Sequence, residues 1–446
     1  MSAAVAIDNA STLQATRAPR RGLVTWLTLA AVAITFASSG FVFSEPAPID
    51  ALTIGLIVLL PTVGLVSFTP GVLAYGAMWL VAAACLLLGA SSSLDLKSTG
   101  IHVAVTIYLY AASVVIAAFV ARSPRAHTEL ILKAWTLAAL IAATAAVLGY
   151  FRVIPGGYEL FTEYDRASGT FKDPNVFGPF LVVPALYLLN AALQRSFSGM
   201  LLPLAGSAFL ALGVFLSFSR GAWMVLAVAL MIYGYMIMAT TRQARVRLKI
   251  IALLFAGGIL GTLAVVAALS SDQVTNLLSQ RASLEQSYDT GSEGRFGGQE
   301  KAIGIILENP FGIGALEFSA RHHAEAAHNV YLSMFLNAGW LGGAVYLILV
   351  VLTIVFGFRF AMRASDTRTV FLVVYATFVA TAFEGAIIDS DHWRHFYLMM
   401  ALIWGMMAAA QRPAHAPEES RRQARLLGRA PRADFSARHT TIVGAA

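Results

Sequence analysis

Polar residues in this chain do not alternate with apolar ones. They punctuate long apolar runs, each near the roughly 20 residues a helix needs to cross about 30 Å of hydrocarbon. Twelve such runs lie at 23–43, 47–68, 72–90, 101–121, 130–150, 174–193, 199–218, 219–240, 248–270, 329–358, 368–388 and 394–411. Each predicts a membrane-spanning helix, because a helix satisfies its own backbone hydrogen bonds where no water is present. The first run follows Arg17, Arg20 and Arg21, is too long for a signal-peptide core and has no small-x-small cleavage site before Glu45, so it is expected to remain as a signal anchor. The expected fold is therefore an all-α membrane protein of about 12 transmembrane helices. Residues 1–22 form a cytoplasmic N-terminal segment, 23–270 nine transmembrane helices with an outer loop at 151–173, 271–327 a large outer loop, 328–411 three transmembrane helices, and 412–446 a basic, disordered cytoplasmic tail. The large loop is expected to be a partly helical cap: Lys301-Ala-Ile-Gly-Ile-Ile-Leu307 reads as a short amphipathic helix, stopped by Asn309-Pro310 and followed by a Gly312-Ile-Gly314 turn.

Composition agrees with that pattern. Of the residues, 58% are hydrophobic and 12% charged, against about 25% charged in a soluble domain. The formal charge of +7 does not point to nucleic acid, since the basic residues sit in short clusters between apolar runs and form no single soluble face. The single cysteine, Cys85, excludes an intrachain disulfide and a cysteine-based metal site. Charge also orients the chain. With both termini in the cytoplasm, the twelve-run frame puts 21 of the 31 basic residues inside and 18 of the 24 carboxylates outside, as the positive-inside rule requires.

Ionisable groups within a bilayer are costly and usually functional. Here the span centres are nearly free of them: Asp50, His102, Asp173, Arg220, His328, Glu384 and Arg394 lie at predicted outer ends, and Lys133 and Arg359 at inner ends. A relay of protons or ions through the bilayer has no evident carriers, whereas a reaction at the outer membrane face does. Arg220, in Ser217-Phe-Ser-Arg-Gly-Ala-Trp223, fits either a snorkelling anchor beside an interfacial tryptophan or a guanidinium held for a phosphate. Arg295, in Gly291-Ser-Glu-Gly-Arg-Phe-Gly-Gly298 just before the amphipathic helix, is either a solvated loop charge or a second anion ligand near a helix N-terminus. His328, in Ala326-Ala-His-Asn-Val-Tyr-Leu332, is either part of a helix cap or a general base for a hydroxyl, with His322 and His323 as substitutes. The run Asp389-Ser-Asp-His-Trp-Arg-His395 has metal-ligand residue types, but such clusters in exposed loops are usually solvated, so no metal is expected.

Four motifs in order resemble the O-antigen ligase and polymerase superfamily of bacterial inner-membrane glycosyltransferases. They are Gly169-Thr-Phe-Lys-Asp-Pro-Asn-Val-Phe-Gly178, Ser217-Phe-Ser-Arg-Gly-Ala-Trp223, Arg295 followed by Glu308-Asn-Pro-Phe-Gly-Ile-Gly314, and His328-Asn-Val-Tyr-Leu332 leading to Gly339-Trp-Leu-Gly342. The resemblance implies a glycosyltransferase-C-like fold in the inner membrane with its active site facing the periplasm. It implies inverting transfer of a glycan from undecaprenyl diphosphate to another lipid-linked glycan or to lipid A core, without metal or other cofactor. By motif, Arg220 and Arg295 would hold the diphosphate, His328 would activate the acceptor hydroxyl, and Asp173, Asn175, Ser219, Asn329 and Tyr331 would contact substrate. A transporter or flippase of a lipid-linked oligosaccharide would use the same arginines without the base. The absence of ionisable groups in mid-span and of internal repeats counts against it.

Overall fold

The computed structural model describes residues 22–253, 255, 257 and 294–410. The predicted N-terminal segment, most of the ninth run, the first part of the large outer loop and the basic tail lie outside the described residues. In chain order the elements are α1 (Leu23–Ala37), α2 (Pro48–Thr62), α3 (Pro70–Ala90), α4 (Leu96–Arg122), α5 (Pro124–Tyr150), α6 (Gly157–Phe161), the hairpin β1 (Thr162–Glu163) and β2 (Arg166–Ala167), α7 (Pro174–Gln194), α8 (Phe197–Leu216), α9 (Arg220–Thr240), α10 (Arg295–Glu308), α11 (Glu317–Arg321), α12 (Val330–Ala361), α13 (Arg368–Glu384) and α14 (Arg394–Ala410). Residues 244–253, where the ninth run begins, are helical as well.

The chain is an all-α membrane protein. Among the described residues eight helices are long and apolar enough to cross a membrane, against the twelve runs read from sequence. Three others, α2, α13 and α14, occupy predicted runs but span only 15, 17 and 17 residues. For α2 the reason is local. Its apolar run continues to residue 68, but Pro61 lies in its last turn and Gly64 takes φ 71°, so the chain turns out of the helix while still apolar.

Side-chain and backbone contacts sort the connections between helices into two ends. At one end Val42 N–H donates to Thr170 O (2.8 Å), Arg394 pairs with Asp50 (2.6 and 2.8 Å), Leu94 N–H donates to Glu317 (2.8 Å), Arg166 donates to Ser217 O (2.8 Å) and His102 meets Asp391 (3.1 Å). At the other, Arg125 donates to Asp366 O and Lys249 to the Leu193 and Arg195 carbonyls. These are the odd-numbered and even-numbered connections of the twelve-run frame. Between the ends the core is aromatic and small: Trp79 stacks on Tyr110 at 4.0 Å, Tyr75 on Trp404 at 5.0 Å, and α5 buries alanines 138, 139, 142, 143 and 146. Small residues let helix backbones approach where lipid supplies no hydrophobic drive.

The predicted single run 329–358 is broken. Gly339 takes φ 68° inside α12, and the turn after α10 docks into the gap: Trp340 N–H donates to Pro310 O (2.9 Å), Ile313 N–H to Leu336 O (2.8 Å) and Trp340 Nε1 to Ile306 O (2.7 Å). A Cβ at Gly339 would collide with the Pro310 carbonyl. Two of the sequence motifs thus meet as one packing device that fixes α10 against the bundle.

Candidate active site

The polar end holds a cavity of about 800 Å³ whose wall includes Arg166, Asn175, Ser219, Arg220, Arg295, Glu325 and Glu384. Its first wall is the turn between α8 and α9. Phe218 adopts φ 46°, Ser217 Oγ donates to Val214 O (2.6 Å), Ser219 Oγ accepts from Ala222 N–H (3.3 Å) as the α9 cap, and Trp223 Nε1 reaches the carbonyls that end α8 (3.2 and 3.3 Å). The serines and the tryptophan of the 217–223 motif therefore satisfy a tight turn. Its arginine opens a 21-residue helix at the cavity. A Cβ on the next residue, Gly221, would collide with the Glu384 carboxylate.

Arg295 reaches the cavity from α10. It was expected in a loop before the amphipathic helix, but α10 begins at Arg295 itself. Gly298, three residues on, packs on the His323 ring, whose nearest atom is 3.0 Å from where a Cβ would lie. The cavity therefore receives two arginines, each at the start of a helix, and helix N-termini favour anions.

A third arginine was not singled out from the sequence. Arg166 is buried, donating from Nε to Ser217 O (2.8 Å) and from Nη2 to Asn175 Oδ1 (2.7 Å). The two-residue turn of the β1–β2 hairpin, with Tyr164 at φ 50° and Asp165 at φ 58°, delivers it there. Asp173 caps α7 ahead of Pro174, accepting from Asn175 N–H (2.7 Å), and does not line the cavity; Asn175 does.

His328 takes φ 49° and does not itself line the arginine cavity. Its Nε2 is 3.1 Å from Glu325 Oε2, its Nδ1 is 3.9 Å from Asp389 Oδ2, and its backbone N–H donates to the same Asp389 oxygen (2.9 Å). Ser333 Oγ holds the other Asp389 oxygen (2.6 Å). Burial, together with the neighbouring Asp391 charge, pushes the Asp389 carboxyl above the usual carboxylate range. Glu325 lines the arginine cavity, whereas Asp389 lines a second cavity of about 210 Å³ with His102, Asn337 and Asp391. The imidazole lines neither cavity but lies near a carboxylate of each. Asn329 caps α12 through Tyr331 and Leu332 N–H groups (3.1 and 3.2 Å), and the Tyr331 hydroxyl donates to Ala382 O (2.6 Å). Neither lines either cavity. His323 is buried on Phe318, with its Nδ1 3.2 Å from Glu325 N.

The 389–395 run disperses. Asp391 and His392 join His102, bringing three ligand-type atoms within 4.8 Å of one another, while His392 also meets Thr106 (3.0 Å). Arg394 clamps Asp50, and His395 is buried in α14.

Residues 205–347 match the O-antigen ligase family in sequence. Over that stretch, about a third of its length, the chain is similar to the O-antigen ligases. The matched stretch contains Arg220, Arg295, His328 and the docked glycine motifs. Among curated proteins, none matches the chain in sequence. With eight apolar helices of membrane-spanning length among its described residues, the chain is a multi-pass membrane protein, similar over residues 205–347 to O-antigen ligases.

Proposed function

We propose that the protein transfers a glycan from undecaprenyl diphosphate to a hydroxyl acceptor at the periplasmic face of the bacterial inner membrane. The observation that carries this reading is the cavity at the polar end, where Arg166, Arg220 and Arg295 converge and where the lining residue Glu325 meets the His328 imidazole, itself beside Asp389. The arginines and the two helix N-termini bind the diphosphate and stabilise the charge it gains as the leaving group. The acceptor enters from the side of the smaller cavity. His328 takes the proton of its hydroxyl as the oxygen forms a bond to the anomeric carbon from the face opposite the breaking glycosyl–phosphate bond, so the configuration inverts. Asp389 orients the imidazole and offsets the positive charge it acquires. Guanidinium groups meet the diphosphate charge, so transfer is expected to persist in EDTA.

A transporter of the same lipid needs the arginines and has no use for a histidine held between two carboxylates. The test is the purified full chain supplied with undecaprenyl-diphosphate-linked glycan and either a second lipid-linked glycan or lipid A core. Formation of a longer lipid-linked glycan or of glycan-bearing lipid A identifies polymerase or ligase. Movement of intact donor across a vesicle membrane with no new glycosidic bond would replace this reading by transport. Cysteine labelling that puts position 295 in the cytoplasm would remove the periplasmic site.

A further inference from the structure

The arginine cavity contains a group that diphosphate binding leaves unexplained. Glu384, the last residue of α13, is 0% exposed, and neither carboxylate oxygen has a hydrogen-bond partner among the described residues. It nevertheless lines the cavity, and it lies against Gly221, immediately after Arg220 in the chain. A glycine is needed there because a Cβ would take the place of the carboxylate. A buried carboxyl without partners costs free energy in the empty protein, so its presence calls for a partner that arrives with the ligand.

The chemistry of the ligand limits what that partner is. A diphosphate offers acceptor oxygens and negative charge, neither of which satisfies a carboxylate. A sugar offers hydroxyl and amide N–H donors. Arginines for the phosphates and a carboxylate beside them divide one ligand into an anionic part and a donor-rich part. Resting on the donor assignment above, we propose that Glu384 reads the sugar attached to the diphosphate, its carboxylate accepting a hydrogen bond from a hydroxyl or amide N–H of that residue. A site built to hydrogen-bond a substrate group discriminates strongly against ligands lacking it, because the site's own polar group is then left unpaired.

The experiment compares two lipids on the full-length protein in nanodiscs, without acceptor: undecaprenyl diphosphate, and the same lipid carrying its glycan. Glu384→Gln and Glu384→Leu are expected to weaken binding of the glycan-bearing lipid by about 10- to 100-fold and to leave affinity for the bare diphosphate lipid unchanged. Melting temperature is expected to hold or rise, since an unpartnered buried carboxyl is removed; a merely structural Glu384 would lower it. Equal loss for both lipids, or loss for neither, overturns the proposal. So does a variant that binds both lipids normally and fails only when acceptor is added, because Glu384 then serves the acceptor. If the unmodified protein binds neither lipid, the donor assignment itself is wrong and this inference falls with it. Should the Leu variant fail to fold, the near-isosteric Gln variant carries the comparison alone.

Discussion

Two glycine-bearing parts of the molecule sit at breaks between helical segments and do opposite things. At 217–223 two serines and a tryptophan satisfy the turn, and the result is an arginine at a helix start facing a cavity. At 309–314 and 336–342 the backbone groups pair with one another across the Gly339 break, and none of these residues lines the arginine cavity. Motifs of similar composition therefore divide into one that presents chemistry and one that assembles the scaffold for it. Replacing the arginine that the first presents should change rate at constant stability, and substitutions in the second the reverse. A single helix, α12, carries both kinds of residue, since His328 precedes its cap and Gly339 breaks it.

The largest effect should come at His328. His328→Ala is expected to reduce transfer by about 100- to 10,000-fold, the usual range for losing a general base, while donor affinity on the same folded preparation stays near normal. Near-normal transfer would reduce His328 to the residue that leads into the Asn329 cap of α12 and direct attention to His322. Arg220→Ala should follow, at about 100- to 1,000-fold in rate, the scale of one charge-stabilising donor. Arg220→Lys should recover only part of this, because the charge returns without the bidentate fork. Full turnover by the lysine variant would reduce Arg220 to an interfacial anchor. Gly339→Ala should behave in the opposite way. Forcing a side chain into the left-handed conformation against Pro310 should cost about 1–3 kcal/mol of stability, read as a lower melting temperature. The specific activity of the folded fraction should be little changed. A stable but inactive Gly339→Ala protein would break the division between the two regions.

The sequence told apart helices and ends well, and it told apart roles at those ends poorly. Apolar run length marked eleven of the helices, and charge sorted their connections into the two ends that side-chain contacts now join. Arg166 escaped notice because nothing in Tyr164-Asp-Arg-Ala167 announces burial. Its position depends on a two-residue turn and on Ser217 O and Asn175 Oδ1, which are distant in the chain or on another element. Asp165, with Asp favoured at positive φ, was the available hint. Asn329 and Tyr331 show the converse. Motif position implied substrate contact, yet the local physics of a helix start takes the asparagine, and a carbonyl of α13 takes the tyrosine hydroxyl. Glu384 was visible as an outer-end carboxylate, but its burial without a hydrogen-bond partner among the described residues is a property of packing that periodicity does not carry.

The smallest expected effect is a change in pH profile, and it tests whether the scaffold side of His328 takes part in chemistry. Asp389 is held by Ser333 and by the His328 backbone, and burial with the Asp391 charge raises its carboxyl above the ordinary value of about 3.9. A raised carboxyl takes up its proton at a higher pH than usual. As pH falls, Asp389 is therefore neutralised early, His328 loses the counter-charge to the imidazolium it must become, and transfer declines above the ordinary carboxylate range. Asp391 is not the source of this limb. Burial works against its charged form, but the hydrogen bond from His102 and the His392 and His102 charges hold its carboxyl below the usual value, so it stays ionised. Asp389→Asn should lower the rate at neutral pH and flatten that part of the acid limb, with little change in donor affinity. A variant profile that keeps the shape of the unmodified protein's would show that Asp389 only anchors the backbone of residue 328, and that base and scaffold are separate even where they touch.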